Sequence, residues 1–301
     1  MAMIDPPKMH ADELHIDDAL AQRLVARHFR RWSGLALRRV ASRGTVNAIF
    51  RLGDDLVVRL PRTAAFARSL DAIEAGDAWL RAAAPRLPLA IPEPVAVAPA
   101  SKDFPFPWVV HRWIDGDTLS DDIADTPETA DRLGRFVGAL HALGAPGPDV
   151  PRSVKAISRV SWDPIFRDVI ANVGDVVDVA HALEVWEATL EAPAWSGQSV
   201  WVHADLLVDN LLQRSGRLAA VIDFECHGAG DPALDLTPAW FLFSKETRAR
   251  FREVVGVDAA TWDRARNHAL RSVMGIRYYA TTNPGFSAMC ARTLHRAVYD
   301  D

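Results

Sequence analysis

The segment VHADLLVDN, residues 202–210, places a histidine, two aspartates and an asparagine at the end of an apolar stretch. Further on, the segment VIDFE contains Asp223 beside a second apolar stretch. Phosphoryl transfer needs groups of these types: a carboxylate that accepts the proton of the attacking hydroxyl, and amide and carboxylate oxygens that bind Mg²⁺ against a triphosphate. The alternative is a polar β-turn whose Asp and Asn side chains bond only to the backbone. Two such segments in this order favour the phosphoryl-transfer chemistry.

The spacing of these residues matches the catalytic and metal loops of kinases. Asp205 and Asn210 stand as in H-R-D-x-x-x-x-N, and Asp223 stands as in D-F-G, with Glu225 in place of the glycine. Together with DDLVVRLPR and AVIDFECHGAGDPALDLTPAW, these motifs make nearly the whole chain resemble the aminoglycoside/macrolide phosphotransferases, small-molecule kinases with a protein-kinase-like fold. The resemblance implies that Asp205 is the catalytic base, that Asn210 and Asp223 bind Mg²⁺, and that ATP or GTP is the phosphate donor.

Three further residues are expected to support this site. His203 is interpreted as a structural histidine of the loop. Asp231 precedes Pro232 at the start of the next helix, which predicts an N-cap, and Asp235 is expected to brace the loop. Members of the family usually have glycine at the position of Ala204, a departure that spares the groups that do the chemistry.

The resemblance also implies a nucleotide site in the first part of the chain. Arg59, in LVVRL, occupies the place of the phosphate-binding lysine, and its guanidinium can bind phosphate bidentately. A surface arginine on a half-buried strand is the alternative. The acid expected on the long helix is displaced, because the family position is Gly76. Glu74 is preferred to Asp77 as the partner of Arg59 because its side chain is longer, although either could be a solvated helix charge.

Backbone groups are expected to complete the nucleotide site. The segment ASRGTVNAIF, with Arg43, Gly44 and Thr45, lies where the resemblance places the phosphate-covering loop, and a plain turn explains its lone glycine equally well. The segment VVHRWIDGD is the expected link between lobes, where adenine would contact the backbone near His111, Trp113 and Ile114.

The elements that must position these residues divide the chain into two parts. Residues 1–113 predict a helix over 15–31, a long helix over 64–83 and a set of strands, NAIFRL, DLVVRL, VAVAP and PWVVHRW, the first two joined by a hairpin at Gly53 and Asp54. Helices dominate from Thr126, a predicted N-cap, apart from two or three short strands within 199–224. These elements predict a small β-rich lobe followed by a larger helical lobe. Together with the resemblance, they imply an α+β, bilobal protein-kinase-like fold, with a nucleotide-binding lobe over 1–113 and a helical lobe, bearing the catalytic loop and acceptor site, over 114–301.

Composition and charge indicate which partners and which cellular compartment to expect. A net charge of −5 and a pI near 6.1 give no reason to expect nucleic-acid binding. The sequence has no apolar run long enough for a membrane helix and no signal-peptide pattern. Cys226 and Cys290 have no metal-ligand spacing and cannot form a disulfide framework. We therefore expect a cytoplasmic protein that is a monomer or a weak dimer, with no nucleic-acid or membrane partner.

The acceptor is predicted to be a small molecule, because the short interval between Asp223 and Asp231 leaves no room for a peptide-docking segment. The acidic stretch 163–191 would suit a polycationic aminocyclitol, although a solvated acidic helix face explains it too. The foremost prediction is phosphorylation of an aminoglycoside-type or other antibiotic. The alternatives are a metabolic kinase for choline-like or sugar-like alcohols, a catalytically inactive nucleotide-binding regulator, and a metal-dependent phosphohydrolase.

Overall fold

The computed structural model describes residues 12–40, 46–156 and 159–300. The chain divides into two compact units, the first comprising Met1–Pro85 and Ala90–Asp115 and the second Arg86–Leu89 and Gly116–Asp301. Among residues 12–40, 46–156 and 159–300, every helix is too short or too polar to cross a membrane.

The first unit is built on an antiparallel sheet with the strand order β1-β2-β3-β5-β4. Its strands are β1 (Leu37–Arg39), β2 (Asn47–Leu52), β3 (Leu56–Pro61), β4 (Pro94–Ala98) and β5 (Trp108–Arg112). The predicted hairpin between β2 and β3 is confirmed, and Gly53 has the positive φ of 60° that such a turn requires. The four predicted strands are all present, whereas β1 was not predicted.

The two faces of this sheet differ. Alternate residues of β3 and β5 (Leu56, Val58, Leu60, Trp108 and Val110) join a core with α1 (Asp18–His28). Helix α2 (Leu70–Ala83) contributes Asp77, which lies beside His111 of β5. Because side chains alternate along a strand, His111 and Arg59 point to the face opposite the α1 core. The predicted helix over 64–83 starts later than expected, since Ser69 caps α2 by accepting from the Ala72 N–H at 3.3 Å.

The second unit is mainly helical. Its helices are α3 (Asp121–Ala124), α4 (Pro127–His141), α5 (Arg159–Ile170), α6 (Val179–Leu190), α7 (Pro238–Phe241), α8 (Lys245–Val255), α9 (Ala259–Leu270), α10 (Val273–Tyr278) and α11 (Pro284–Tyr299). The predicted N-cap of α4 is confirmed, because the Thr126 hydroxyl accepts from the Thr129 N–H at 3.2 Å. The apolar face of α4 packs mainly on α8, as its helical periodicity requires.

Two small antiparallel sheets carry the loops that bear the candidate site. One pairs β7 (Val200–Val202) with β10 (Gly228–Gly230). The other has the order β6-β8-β9, with β6 (Asp117–Thr118), β8 (Leu211–Arg214) and β9 (Arg217–Val221). Leu211 pairs with Val221, so the residue before β8 and the residues after β9 lie side by side. Asn210 precedes β8, and Ile222 and Asp223 follow β9. The Ile222 N–H donates to the Asn210 carbonyl at 2.9 Å.

Candidate active site

The loop that follows β7 is held by the carboxylate of Asp235. Its Oδ2 accepts from the His203 N–H at 3.1 Å, and its Oδ1 accepts from the Ala204 N–H at 2.6 Å. Nε2 of His141, at the end of α4, lies 3.0 Å from Oδ2. Asp235 is completely buried, and a buried carboxylate is tolerated only when donors of this kind satisfy it. Asp235 thus fixes the backbone that leads into Asp205.

Ala204 adopts a backbone conformation that favours glycine. Its φ is 63°, in the left-handed region that residues with a Cβ rarely enter. The hydrogen bond from its N–H to Asp235 helps to hold it there. Glycine, which the resemblance makes the usual residue here, would adopt this conformation without strain, whereas this chain has an alanine.

His203 connects the two loops of the site. The buried ring accepts from the Asp205 N–H at Nδ1, with a distance of 3.2 Å. Its Nε2 lies 3.0 Å from the carbonyl oxygen of Ile222. A carbonyl can only accept, so Nε2 carries the hydrogen. His203 therefore ties Asp205 to the residue that precedes Asp223.

Both carboxylate oxygens of Asp205 have a donor beside them. Nδ2 of Asn210 donates to the Asp205 backbone oxygen at 2.8 Å and approaches Oδ2 at 3.3 Å. On the other side, Nζ of Lys155 lies 3.4 Å from Oδ1. The Asp205 side chain is 23% exposed, so the carboxylate is oriented yet open to a reactant.

Asn210 and Asp223 offer oxygen atoms of the type that Mg²⁺ prefers. The hydrogen bonds from Nδ2 of Asn210 to Asp205 leave its amide oxygen Oδ1 outside them. Asp223 follows β9 in a left-handed conformation, with φ and ψ both 65°. The described residues contain no cluster of three His, Cys, Asp or Glu side chains that could hold a metal. Two protein oxygens fit Mg²⁺, which usually keeps waters and substrate phosphates as its other ligands.

Lys155 and Cys226 lie near Asp205, and neither was predicted from the sequence as a residue of the site. Burial acts to lower the pKa of Lys155, but the charge of Asp205 and its hydrogen bond to the ammonium outweigh it, so that this pKa is raised. Burial, reinforced by Asp205, raises the pKa of Cys226 to about 12. The chain contains only four lysines among its 34 basic residues, yet nothing in the pattern around Lys155 predicts its position.

Asp231 is the N-cap of the 3₁₀ helix Pro232–Leu236 and accepts from the Ala233 N–H at 3.0 Å. Its carboxylate also pairs with Arg264, with Nε–Oδ2 and Nη2–Oδ1 distances of 2.7 and 3.1 Å. This paired geometry anchors α9 to the segment that follows β10.

His141, which braces Asp235, was not predicted from the sequence. A histidine in the last turn of an amphipathic helix was the available signal.

In the first unit, Arg59 lies on β3, a central strand, between Ile49 of β2 and Val109 of β5. It is half-buried and makes interactions of its own. Glu74 is exposed on α2, whereas Asp77 is buried with Oδ1 3.5 Å from Nε2 of His111. The pairing of Arg59 with Glu74 stays a prediction, and Asp77 is the acid of α2 that lies against the sheet.

The other predicted nucleotide contacts fall in two places. Arg43, Gly44 and Thr45 lie outside the described residues. At the end of β5 the Trp113 N–H donates to the Asp55 carbonyl at 2.8 Å, so this donor is already used within the sheet. His111 is buried and Ile114 is half-buried.

Comparison with known proteins identifies the class that this fold and loop arrangement define. A family model described as "Phosphotransferase enzyme family" matches residues 37–268. A macrolide 2'-phosphotransferase, MphH from Brachybacterium faecium, superposes with a TM-score of 0.57 at 22% identity, over 94% of this chain and 98% of that one. The GDP complex of aminoglycoside 2'-phosphotransferase-IIIa gives a TM-score of 0.68 at 14% identity, over 94% and 98%. The predicted protein-kinase-like α+β fold is confirmed.

The chain belongs to the phosphotransferase enzyme family. A curated relative, a homoserine kinase of Gluconobacter oxydans, is 33% identical over 102 residues, which are 31% of this chain and 30% of the relative. The chain thus spans about a third of the length of the curated relatives it matches.

Proposed function

We propose that this chain transfers the γ-phosphoryl group of a nucleoside triphosphate to a hydroxyl group of a small molecule. The observation that carries the proposal is the convergence of Asp205, Asn210 and Asp223 at the ends of β7, β8 and β9, with each carboxylate oxygen of Asp205 facing a donor. These groups are the proton acceptor and the oxygen ligands that phosphoryl transfer requires.

In the proposed reaction, Asp205 accepts the proton of the acceptor hydroxyl as its oxygen attacks the γ-phosphorus. The bond between that phosphorus and the bridging oxygen breaks, which leaves a nucleoside diphosphate and a phosphate monoester. Asn210 orients the base through its amide nitrogen. A Mg²⁺ ion held by Asn210 and Asp223 would neutralise charge on the phosphate oxygens. Arg59 is the proposed phosphate-binding side chain, and ATP and GTP are both candidate donors.

Two acceptor classes compete. An aminoglycoside-type or other antibiotic is the foremost prediction from sequence, and the solved structures with this fold include aminoglycoside and macrolide phosphotransferases. Metabolic alcohols are the second class, and the curated relatives are named homoserine kinase. Identities of 14–22% to the solved structures carry the fold alone.

The acidic stretch 163–191 gives the aminoglycoside class less support than its sequence suggests, because several of its acids already have partners. Asp163 accepts from Arg167 at 2.9 Å and from the indole of Trp186 at 2.8 Å. Glu187 Oε1 accepts from Nη2 of the same Arg167 at 3.0 Å. Asp178 caps α6. Carboxylates that hold neighbours in this way are less available to a polycation, so the acidic stretch does not by itself favour an aminoglycoside over a metabolic acceptor.

The test is nucleotide consumption in the presence of Mg²⁺, measured against aminoglycosides, macrolides, L-homoserine, choline and simple sugars. Asp205→Asn should reduce acceptor-dependent turnover by about 10²–10⁴-fold while nucleotide binding survives, because only the proton acceptor is lost. Asp209→Asn, a neighbouring acid of the same loop, should stay within a few-fold of the wild type. An Asp205→Asn enzyme that retains a tenth of the activity would contradict the base role. Nucleotide binding without turnover on any acceptor would favour the inactive regulator.

A further inference from the structure

Lys155 lies beside the candidate base on the side away from the candidate metal ligand. Oδ2 of Asp205 faces Asn210 at 3.3 Å, whereas Oδ1 faces the Lys155 ammonium at 3.4 Å. The two oxygens of the Asp205 carboxylate thus face two different neighbours, Asn210 on one side and Lys155 on the other. Asn210 marks the side on which the nucleotide phosphates and their metal are expected, which leaves Lys155 on the side of the acceptor.

The backbone that carries Lys155 is fixed in place. Residues 151–153 run along the edge of β10, with the Ala229 N–H donating to the Pro151 carbonyl and the Ser153 N–H donating to the Ala229 carbonyl, each at 3.0 Å. The buried hydroxyl of Ser153 then donates to the Cys226 carbonyl at 2.7 Å and accepts from the Lys155 N–H at 3.3 Å.

Gly228 of β10 permits this close approach. A Cβ at that position would lie 2.7 Å from the Pro151 carbonyl oxygen and 2.9 Å from the Ser153 nitrogen, so a side chain there would push the segment away. A lysine backbone held by this packing is a built feature of the site. Its side chain is 51% exposed, so the ammonium can be reached from solvent.

We propose that Lys155 binds an anionic group of the acceptor, which makes the acceptor a hydroxylated carboxylic acid such as a hydroxy amino acid. This inference rests on the proposed phosphoryl transfer. An acceptor hydroxyl within hydrogen-bond reach of Oδ1, roughly 3 Å, lies no more than about 6.5 Å from the ammonium. The Lys155 ammonium has three N–H donors, and one of them faces Asp205. The others can hold a carboxylate on the same small molecule.

The charge of Lys155 also disfavours the competing acceptor class. A polycation would meet an ammonium directly beside the reacting hydroxyl, and like charges at that range repel. The raised pKa of Lys155 keeps the ammonium protonated throughout the neutral range. Lys155 moves no proton in the reaction, since the hydroxyl proton goes to Asp205.

The experiment compares three acceptors that differ by one group. L-homoserine carries hydroxyl, amine and carboxylate, 3-aminopropan-1-ol lacks the carboxylate, and 4-hydroxybutyrate lacks the amine. Lys155→Met should raise KM for the two carboxylates by about 10- to 100-fold, as expected for one charge-assisted hydrogen bond. KM for Mg·ATP should change by less than about twofold, and KM for the amino alcohol should not rise, because that cation loses only a like charge beside it. Lys155→Arg should recover part of the loss, and Lys245→Met, an exposed lysine of the same unit, should have no effect.

Several results would overturn the inference. An equal loss with and without the carboxylate, or a raised KM for Mg·ATP, would place Lys155 on the base or on the transferred phosphoryl group. A wild-type enzyme that phosphorylates aminoglycosides but neither L-homoserine nor 4-hydroxybutyrate would overturn the inference and leave the proposed function standing. A wild-type enzyme that phosphorylates none of the acceptors would remove the proposed function, and the inference with it.

Discussion

Ala204→Gly should stabilise the second unit. The alanine has a φ of 63°, and a left-handed conformation costs a residue with a Cβ roughly 1–2 kcal/mol. Glycine removes that strain but makes the unfolded chain more flexible, which costs about 0.4–1 kcal/mol. The N–H that bonds to Asp235 is kept. The net expectation is a gain of about 0.5–1 kcal/mol in the free energy of unfolding, or about 2 °C in Tm for a unit of this size.

The assay is thermal and urea unfolding of the full chain, with Ala249→Gly as the matched control. Ala249 is exposed in the interior of α8 within the same unit, where glycine costs up to about 1 kcal/mol. The same chemical change should therefore shift the same transition in opposite directions at the two positions. A loss of stability in Ala204→Gly comparable to that in Ala249→Gly would refute the strain argument. Turnover should be unchanged, because the loop keeps its hydrogen bonds.

Further predictions concern packing, the buried carboxylate and a thiol. Gly134→Ala should destabilise the protein by about 1–3 kcal/mol, because its Cβ would lie 2.7 Å from a methyl group of α8. Gly138→Ala should stabilise it by up to about 1 kcal/mol, since an added Cβ would meet no described atom within 4 Å apart from its chain neighbours and the adjacent helix backbone. Asp235→Asn should cost about 2–4 kcal/mol in urea unfolding and reduce kcat, because an amide nitrogen would face a buried N–H. As a control, Asp258→Asn at the N-cap of α9, where the side chain accepts from the Thr261 N–H, should cost less than about 0.5 kcal/mol. Cys226, with its pKa raised to about 12, should react with iodoacetamide at pH 8 about a thousandfold more slowly than an ordinary thiol, and rapid labelling of the native protein would contradict this.

The parts of the fold that were predictable from sequence are those fixed by neighbouring residues. Thr126 before Pro127 and Asp231 before Pro232 announce N-caps because capping involves residues only two or three positions apart. The hairpin at Gly53 is equally local. The strands β1, β6 and β10 were not predicted, because two or three residues are too few to show an alternating pattern, and β6 and β10 pair with strands far away in the chain.

The candidate site divides in the same way. Asp205 and Asn210 are five positions apart and could be paired from their spacing. Lys155 comes to Asp205 only through the pairing of residues 151–153 with β10, and a contact between segments so far apart in the chain leaves no pattern in either of them. His141 reaches Asp235 across a similar distance. Residues that lie in recognisable motifs, Asp223 and Asp235 included, were therefore predicted, whereas Lys155 and His141 come from segments without such a motif and were missed.

The acid of α2 is a case in which the sequence held a better criterion than side-chain length. The buried positions of the helix are Ile73, Gly76, Asp77, Leu80 and Ala83, and the first four follow the i, i+3, i+4, i+7 spacing of an apolar stripe. Asp77 lies within that stripe and Glu74 lies outside it. A carboxylate on the buried stripe of a helix needs a polar partner on the surface it packs against, and His111 of β5 is there, with Nε2 3.5 Å from Oδ1. Helical phase, which can be counted from the sequence, therefore directs Asp77 toward the face of the sheet that Arg59 shares.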